Sequence, residues 1–243
     1  MRNILPGFFA FFAFAASLSA QSLTTAEVIN RGRATLGSNA ALDGLVTLNF
    51  SGRLEPADPS VPDASILVIA RKPSSQRLEI RVDDMVETTI MNGRAGCIIR
   101  SNLNAEASRM RELTEPELKR VLYSTKQFFN FYRPDSKNGE KVSYEGITTH
   151  RGVRAHRLLY SYPNGLKTMR YFSVDKDMLV SVVAENGVES VNIGSQMVEG
   201  INFPERIEYY EGDRKLHTIV LAAVQVNKPL PAGIFDIPRP SAP

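Results

Sequence analysis

Between residues 46 and 226 the chain keeps returning to the two-residue period of a half-buried strand. Val46, Leu48 and Phe50 alternate with Thr47, Asn49 and Ser51. Leu78, Ile80 and Val82 alternate with Glu79, Arg81 and Asp83. Such runs give a strand one apolar face and one wetted face. Residues 66–70 are apolar on both faces and end at Arg71-Lys72-Pro73. Turn residues separate the runs roughly every 8 to 14 residues, as at Asn92-Gly93, Pro163-Asn164-Gly165, Asp175-Lys176-Asp177 and Asn186-Gly187. That rhythm predicts an antiparallel meander. Residues 86–91 and 95–99 read as a hairpin, because Asn-Gly suits a type I′ turn. Further strands are expected at 156–162, 169–174, 178–184, 188–197, 206–210 and 216–226, with Val142 and Tyr144 ahead of them, about ten in all.

Two stretches follow a helical period instead. Thr24-Thr25-Ala26-Glu27 is a capping box, Val28, Ile29 and Leu36 lie along the short helix behind it, and Gly37 suits its stop. Thr114-Glu115-Pro116-Glu117 is a second box, with proline in the first turn where its missing N–H costs nothing. Leu118, Val121, Leu122, Thr125, Phe128 and Phe129 then recur at helical spacing, and Phe131, Tyr132 and Pro134 close the segment. Helices that fall early and in the middle, rather than between successive strands, exclude a doubly wound sheet. They give the α+β class. No repeat or linker divides the chain, so residues 21–237 read as one domain, with a disordered proline-rich tail over 238–243.

The first twenty residues have a different character. Arg2 is the only charge before Glu27, a Phe- and Ala-rich apolar run follows, and Ser17, Ser19 and Ala20 end it. A basic start, a short apolar run and small residues make a cleavable signal peptide over residues 1–20. The run is shorter than the roughly 20 residues of a spanning helix. Leu18-Ser19-Ala20 is followed by Gln21 and not by cysteine, so no lipid anchor is expected there. The expected product is exported and soluble, about 220 residues long and large enough to bury a core without disulfides. Lys and Arg number 29 against 26 Asp and Glu, a balance that does not suggest nucleic-acid binding. Runs such as Arg71-Lys72 read as solvated strand faces. The one cysteine, Cys97, lies in an apolar run and reads as a buried, inert thiol.

Recognisable catalytic chemistry is missing. His150, His156 and His217 have no carboxylate or cysteine at metal-ligand spacing. Six residues apart on one strand, His150 and His156 would share a face about 20 Å from one another. There is no nucleophile elbow, phosphate loop or dinucleotide glycine pattern. Asp83-Asp84 reads as a turn, and a distant carboxylate pair stays open. No cofactor or metal is called for. What remains is an amphipathic sheet and an amphipathic helix, whose apolar faces either pack solidly or enclose a cavity for an apolar ligand.

The order of segments adds a resemblance. The short helix from Thr24 to Leu36 and the strand from Leu45 to Leu54 come first, then Ala70-Arg71-Lys72-Pro73 with Arg77-Leu78-Glu79-Ile80, then Met91-Asn92-Gly93 with Gly96. Later come Phe203-Pro204-Glu205-Arg206-Ile207 with Tyr209-Tyr210, and Val226-Asn227-Lys228-Pro229-Leu230-Pro231 with Phe235-Asp236-Ile237-Pro238. Across most of the chain this order resembles the LolA/LolB-like periplasmic lipoprotein carriers, the outer-membrane lipoprotein-sorting proteins. The resemblance implies an unclosed antiparallel β-barrel with helices covering its concave face. It also implies a cavity that takes up acyl chains of lipids or lipoproteins and carries them between membranes. Membrane transport proteins would then be donor or acceptor partners. The matching cavity face is Val46, Leu48, Phe50, Leu78, Ile80 and Val82, and the matching cover is Leu118, Val121, Leu122, Phe128 and Phe129. No arginine matches the family's lid latch by motif. Two rival readings stand beside the carrier: a non-catalytic envelope interaction or sensor module on the same fold, and a hydrolase.

Overall fold

A computed structural model describes residues 23–238. The signal peptide expected over residues 1–20 and all but Pro238 of the expected tail lie outside the described residues. The chain begins with α1 (Thr25–Ala34) and α2 (Asn39–Asp43), then runs through six strands: β1 (Thr47–Pro56), β2 (Ala64–Arg71), β3 (Ser75–Val82), β4 (Met85–Asn92), β5 (Ala95–Asn102) and β6 (Ala107–Glu112). The long helix α3 (Glu115–Asn130) follows. Beyond it lie β7 (Lys141–His150), β8 (Val153–Ser161), β9 (Lys167–Ser173), β10 (Leu179–Ala184) and β11 (Val188–Ile193). The series closes with β12 (Gln196–Val198), β13 (Ile201–Phe203), β14 (Arg206–Glu211) and β15 (Arg214–Val226).

Thirteen of these strands form one antiparallel sheet in the order β6-β5-β4-β3-β2-β1-β15-β14-β11-β10-β9-β8-β7, and β12 pairs only with β13. The sheet is two meanders joined where β1 meets β15, with Leu48 opposite Val226 and Phe50 opposite Val224. Its outer strands, β6 and β7, do not pair with each other, so the barrel stays open. Arg109 and Arg111 on β6 place charge along one free edge, which discourages edge-to-edge pairing. The fold class matches the sequence expectation, but the strands exceed the expected ten. Residues 107–112 and 201–203 carry too little alternation to read as strands. The expected strand over 188–197 breaks at Gly194, which has φ 73°.

Local chemistry accounts for the turns. The expected Asn-Gly turn shifts by one residue: Asn92 pairs with Ala95, and the loop is Gly93-Arg94. Only Gly93 has positive φ (65°), the pattern of a type II′ turn, which needs glycine first. His150 and His156 are not on one strand. Arg151 (φ 47°) and Gly152 (φ 73°) turn the chain between them, so that β7 and β8 form a hairpin. Asp83-Asp84 is the loop between β3 and β4, as its composition suggests. Burial raises the Cys97 thiol pKa, and the side chain is fully buried on β5.

Because α3 links β6 to β7, it runs from one free sheet edge toward the other. Sixteen residues at 1.5 Å each span about 24 Å. The helix starts where Glu117 accepts from the Thr114 N–H and hydroxyl, both at 2.9 Å, and Arg111 of β6 pairs with the same carboxylate. Buried Thr125, midway along α3, donates to Gln76 of β3 at 2.7 Å. Arg170 of β9 donates to Gln127. The helix is therefore tied to both meanders.

Candidate functional site

Two apolar clusters lie under the helices. One gathers Leu42, Leu45, Leu48, Ala70, Phe129, Phe131, Ile201 and Val226. The other gathers Val28, Ile29, Leu158, Tyr160, Tyr162 and Phe172. A cavity of about 310 Å³ borders both. From the first cluster's edge it takes Leu36, Phe50, Phe128, Phe203 and Val224, and from the second's edge Tyr123 and Tyr132. Val182, Ile207 and Leu221 extend the apolar wall along the second meander. Arg170, Gln127, Ser190, Asn192 and Asn202 are its polar members.

The roof of this cavity comes from α3 and from the β12–β13 hairpin. Phe128 projects from α3 onto Phe50 of β1, the rings edge to face at 5.8 Å between centroids. Ile201 is fully buried, and the Asn202 N–H donates to the Leu36 carbonyl at 2.7 Å, docking the hairpin on the turn after α1. Glu199 (φ 51°) and Gly200 (φ 77°) make its tight turn.

The C-terminal end of α3 is held by an unusual clasp. Arg33, only 2% exposed, donates through Nη1 to the carbonyls of Asn130 (2.8 Å) and Phe131 (3.0 Å). Its Nη2 reaches Asn39 (3.3 Å) and Asp43 (2.9 Å). Burial pulls the Arg33 pKa below its usual value, and Asp43 works in the opposite direction. Orphan carbonyls at a helix end attract a cation, so Arg33 satisfies two of them from another helix. Beyond the clasp, Phe131 (φ 44°) and Tyr132 (φ 70°) both adopt the left-handed conformation, which side-chain-bearing residues seldom take. That pair of turns places both side chains on the cavity wall.

Of the residues expected from sequence to form the site, Leu48, Phe50 and Phe128 line this cavity. Phe129 is buried in the first cluster, under the Lys72 ammonium at 5.6 Å from its ring centre. Leu122 lines a separate polar-rimmed cleft with Lys72, Gly93 and Phe129. Leu118 and Val121 are half-buried along α3, and Leu78, Ile80 and Val82 are half-buried on β3. Leu78 stands beside Val68 and Ile80 beside Ile66. Val46 is 51% exposed, just ahead of β1. Sequence reasoning missed the walls from the second meander. Their alternation was visible at residues 206–210 and 216–226, but nothing local says that β15 lies beside β1. It also missed Arg170, which looks in sequence like any strand arginine.

Two other polar groupings lie outside the lining of this cavity. His156 is buried, with Nδ1 3.1 Å from the Tyr144 hydroxyl. Glu189 is held by His150 (2.7 Å) and Arg151 (2.8 Å). Among the described residues no three His, Cys, Asp or Glu side chains are placed to hold a metal, and no helix is long and apolar enough to cross a membrane.

No protein-family model matches the chain, and no curated protein matches it in sequence. Solved structures do match. A DUF1329 family protein from Desulfovibrio piger superposes with a TM-score of 0.57 at 8% identity, covering 86% of this chain and 95% of its own. A LolA superfamily protein from Nitrosomonas europaea gives 0.56 at 11% identity, covering 88% and 98%. A domain from Vibrio parahaemolyticus named for outer membrane lipoprotein sorting gives 0.53 at 7% identity, covering 86% and 94%. Identities this low speak for the fold, and the fold is LolA-like.

Proposed function

We propose that this chain, with its LolA-like fold, is an exported carrier that holds acyl chains of lipids or lipoproteins in its apolar cavity and moves them between membranes. One observation carries the reading: the space between α3 and the sheet is a cavity rather than a filled core, and its walls are mostly apolar. At about 310 Å³ it sits at the lower end of the roughly 300–1,000 Å³ typical of ligand pockets. Burying an acyl chain yields roughly 0.8 kcal/mol per methylene. Ten methylenes give about 8 kcal/mol before the costs of association, enough for reversible capture without a cofactor or catalytic group. Lipoprotein handling comes from what the Vibrio neighbour is named for, movement between membranes from the resemblance in the order of segments, and export from the reading of residues 1–20. We take residues 21–237 as the working domain. Leu48, Phe50 and Phe128 are the ligand contacts, and membrane transport proteins are the partners for loading and release.

The test uses a neutral fluorescent probe, N-phenyl-1-naphthylamine, displaced by dodecanol. The wild-type protein should bind the probe and lose it to the alcohol. Phe128→Asp places a charge on the apolar roof and should weaken binding by tenfold or more, since an unpaired charge resists burial. Unchanged affinity in a folded Phe128→Asp variant would remove α3 from the site.

A further inference from the structure

We infer that the cavity takes a single-chain amphiphile whose anionic headgroup, a carboxylate or a phosphate monoester, rests against Arg170. This builds on the acyl-chain reading and specifies its ligand class.

Arg170 is 5% exposed and borders the cavity from β9. Its guanidinium packs 3.9 Å from the ring centre of Tyr160 and 6.0 Å from that of Tyr132, so aromatic rings cover part of it. Nη2 donates to Gln127 and, at 3.0 Å, to the Tyr162 hydroxyl. Nε is sealed and has no partner. Nη1 meets no partner at full hydrogen-bond geometry among the described residues, although the Tyr160 hydroxyl lies close enough to be acted on by the guanidinium; Nη1 is not one of the sealed atoms, and the cavity is the space that Arg170 borders.

The contrast with the other deeply buried arginine is informative. Arg33 has the Asp43 carboxylate at 2.9 Å and two helix carbonyls. Among the described residues no carboxylate lies within ion-pair distance of Arg170, and its partners are an amide and phenols, all neutral groups. Glu140, near enough to act on Tyr160, spends an oxygen on the Asp135 N–H at 2.8 Å and forms no ion pair with Arg170. Burial raises the phenols of Tyr123, Tyr132 and Tyr160, the last to about 12, so none supplies a negative charge near neutrality. Arginine keeps its proton in proteins, and a buried cation normally has a counter-ion. An anionic headgroup meets that need with a charge-assisted hydrogen bond from Nη1. A methylene occupies about the space of a water, roughly 30 Å³. The cavity thus has room for on the order of ten such groups, enough for one chain.

A purely structural Arg170, tying α3 to β9 through Gln127, predicts no discrimination between headgroups. The experiment compares dodecanoate, dodecyl phosphate and dodecanol as displacers of N-phenyl-1-naphthylamine at about pH 8, where the carboxylate is ionised. In the wild-type protein at least one anion should displace the probe at about ten- to a hundredfold lower concentration than the alcohol. Preference for dodecanoate would identify a free fatty acid, and preference for dodecyl phosphate a phosphate monoester. Arg170→Met should lose the advantage and keep its affinity for dodecanol, while Arg170→Lys should retain part of it. Circular dichroism checks each fold. Equal potency of all three displacers in the wild type overturns the inference and leaves the carrier reading standing. Failure of the wild type to bind probe or alcohol overturns both. The wild-type comparison decides the matter even if Arg170→Met does not fold.

Discussion

At the scale of single residues, two buried titratable groups make stability depend on pH in separate windows. Burial lowers the pKa of His156 from its ordinary value. The folded state then binds fewer protons than the unfolded state, whose histidine titrates near about 6.5. The contribution is whole above about pH 6.5 and is lost as pH falls toward the folded value. Urea unfolding of wild type and His156→Gln between about pH 7 and 5 should show a shallower pH slope in the variant. An unchanged slope would contradict the assignment. Glu189 acts lower on the scale. Burial opposes its ionisation, but Arg151 and His150 outweigh that and hold its pKa at about 2. Its folded value lies below the ordinary carboxylate value, so its contribution is present above about pH 4.3 and fades as pH falls toward the folded pKa. Glu189→Gln should remove that acid-range loss from the unfolding curve. Persistence of the full loss would mean that other carboxylates carry it.

At the scale of elements, the seam between β1 and β15 joins residues more than 160 positions apart and has one tight point. The register shifts between Ser51 and Gly52, and a Cβ on Gly52 would run into the Val220 carbonyl. Gly52→Ala should therefore destabilise the protein by about 1–3 kcal/mol, the usual cost of forcing atoms into a packed site. Denaturant titration measures it, and a neutral substitution would show that the seam has slack. The same seam explains what sequence could and could not reveal. Alternation at Leu48 and Phe50, the capping boxes at Thr24 and Thr114, and the apolar spacing along α3 are local, so they were legible. Pairing of β1 with β15 is non-local, and with it went the cavity wall of Ile207, Leu221 and Val224. Two short strands, β6 and β13, carry too few alternating residues to register, and β12 reads as the end of one longer strand over 188–197. The roofing hairpin of β12 and β13 is therefore not legible as a unit.

At the scale of the whole molecule, an open sheet with a helix laid from edge to edge solves one problem and creates another. Charged β6 protects an edge that barrel closure would have removed. The opening also leaves α3 and the β12–β13 hairpin as a cover resting on an incompletely filled trough. Among the resemblance's site residues, Leu48, Phe50 and Phe128 meet at that trough, whereas Leu78, Ile80 and Val82 extend the same sheet away from it. Sequence period assigns a residue to a face, but only tertiary packing decides where a face is filled and where it is hollow. Release of a ligand needs the cover to move, and α3 is anchored at both ends, by the buried Arg33 clasp at its C-terminus and by the exposed Arg111–Glu117 pair at its first turn. An acyl chain held in the trough should stay with the protein through purification. The most direct measurement is mass spectrometry of the organic extract from protein purified without detergent. An acylated species at about one per protein molecule is expected, since the cavity has room for one chain. A clean extract, from protein that also fails to bind N-phenyl-1-naphthylamine, would contradict the carrier reading.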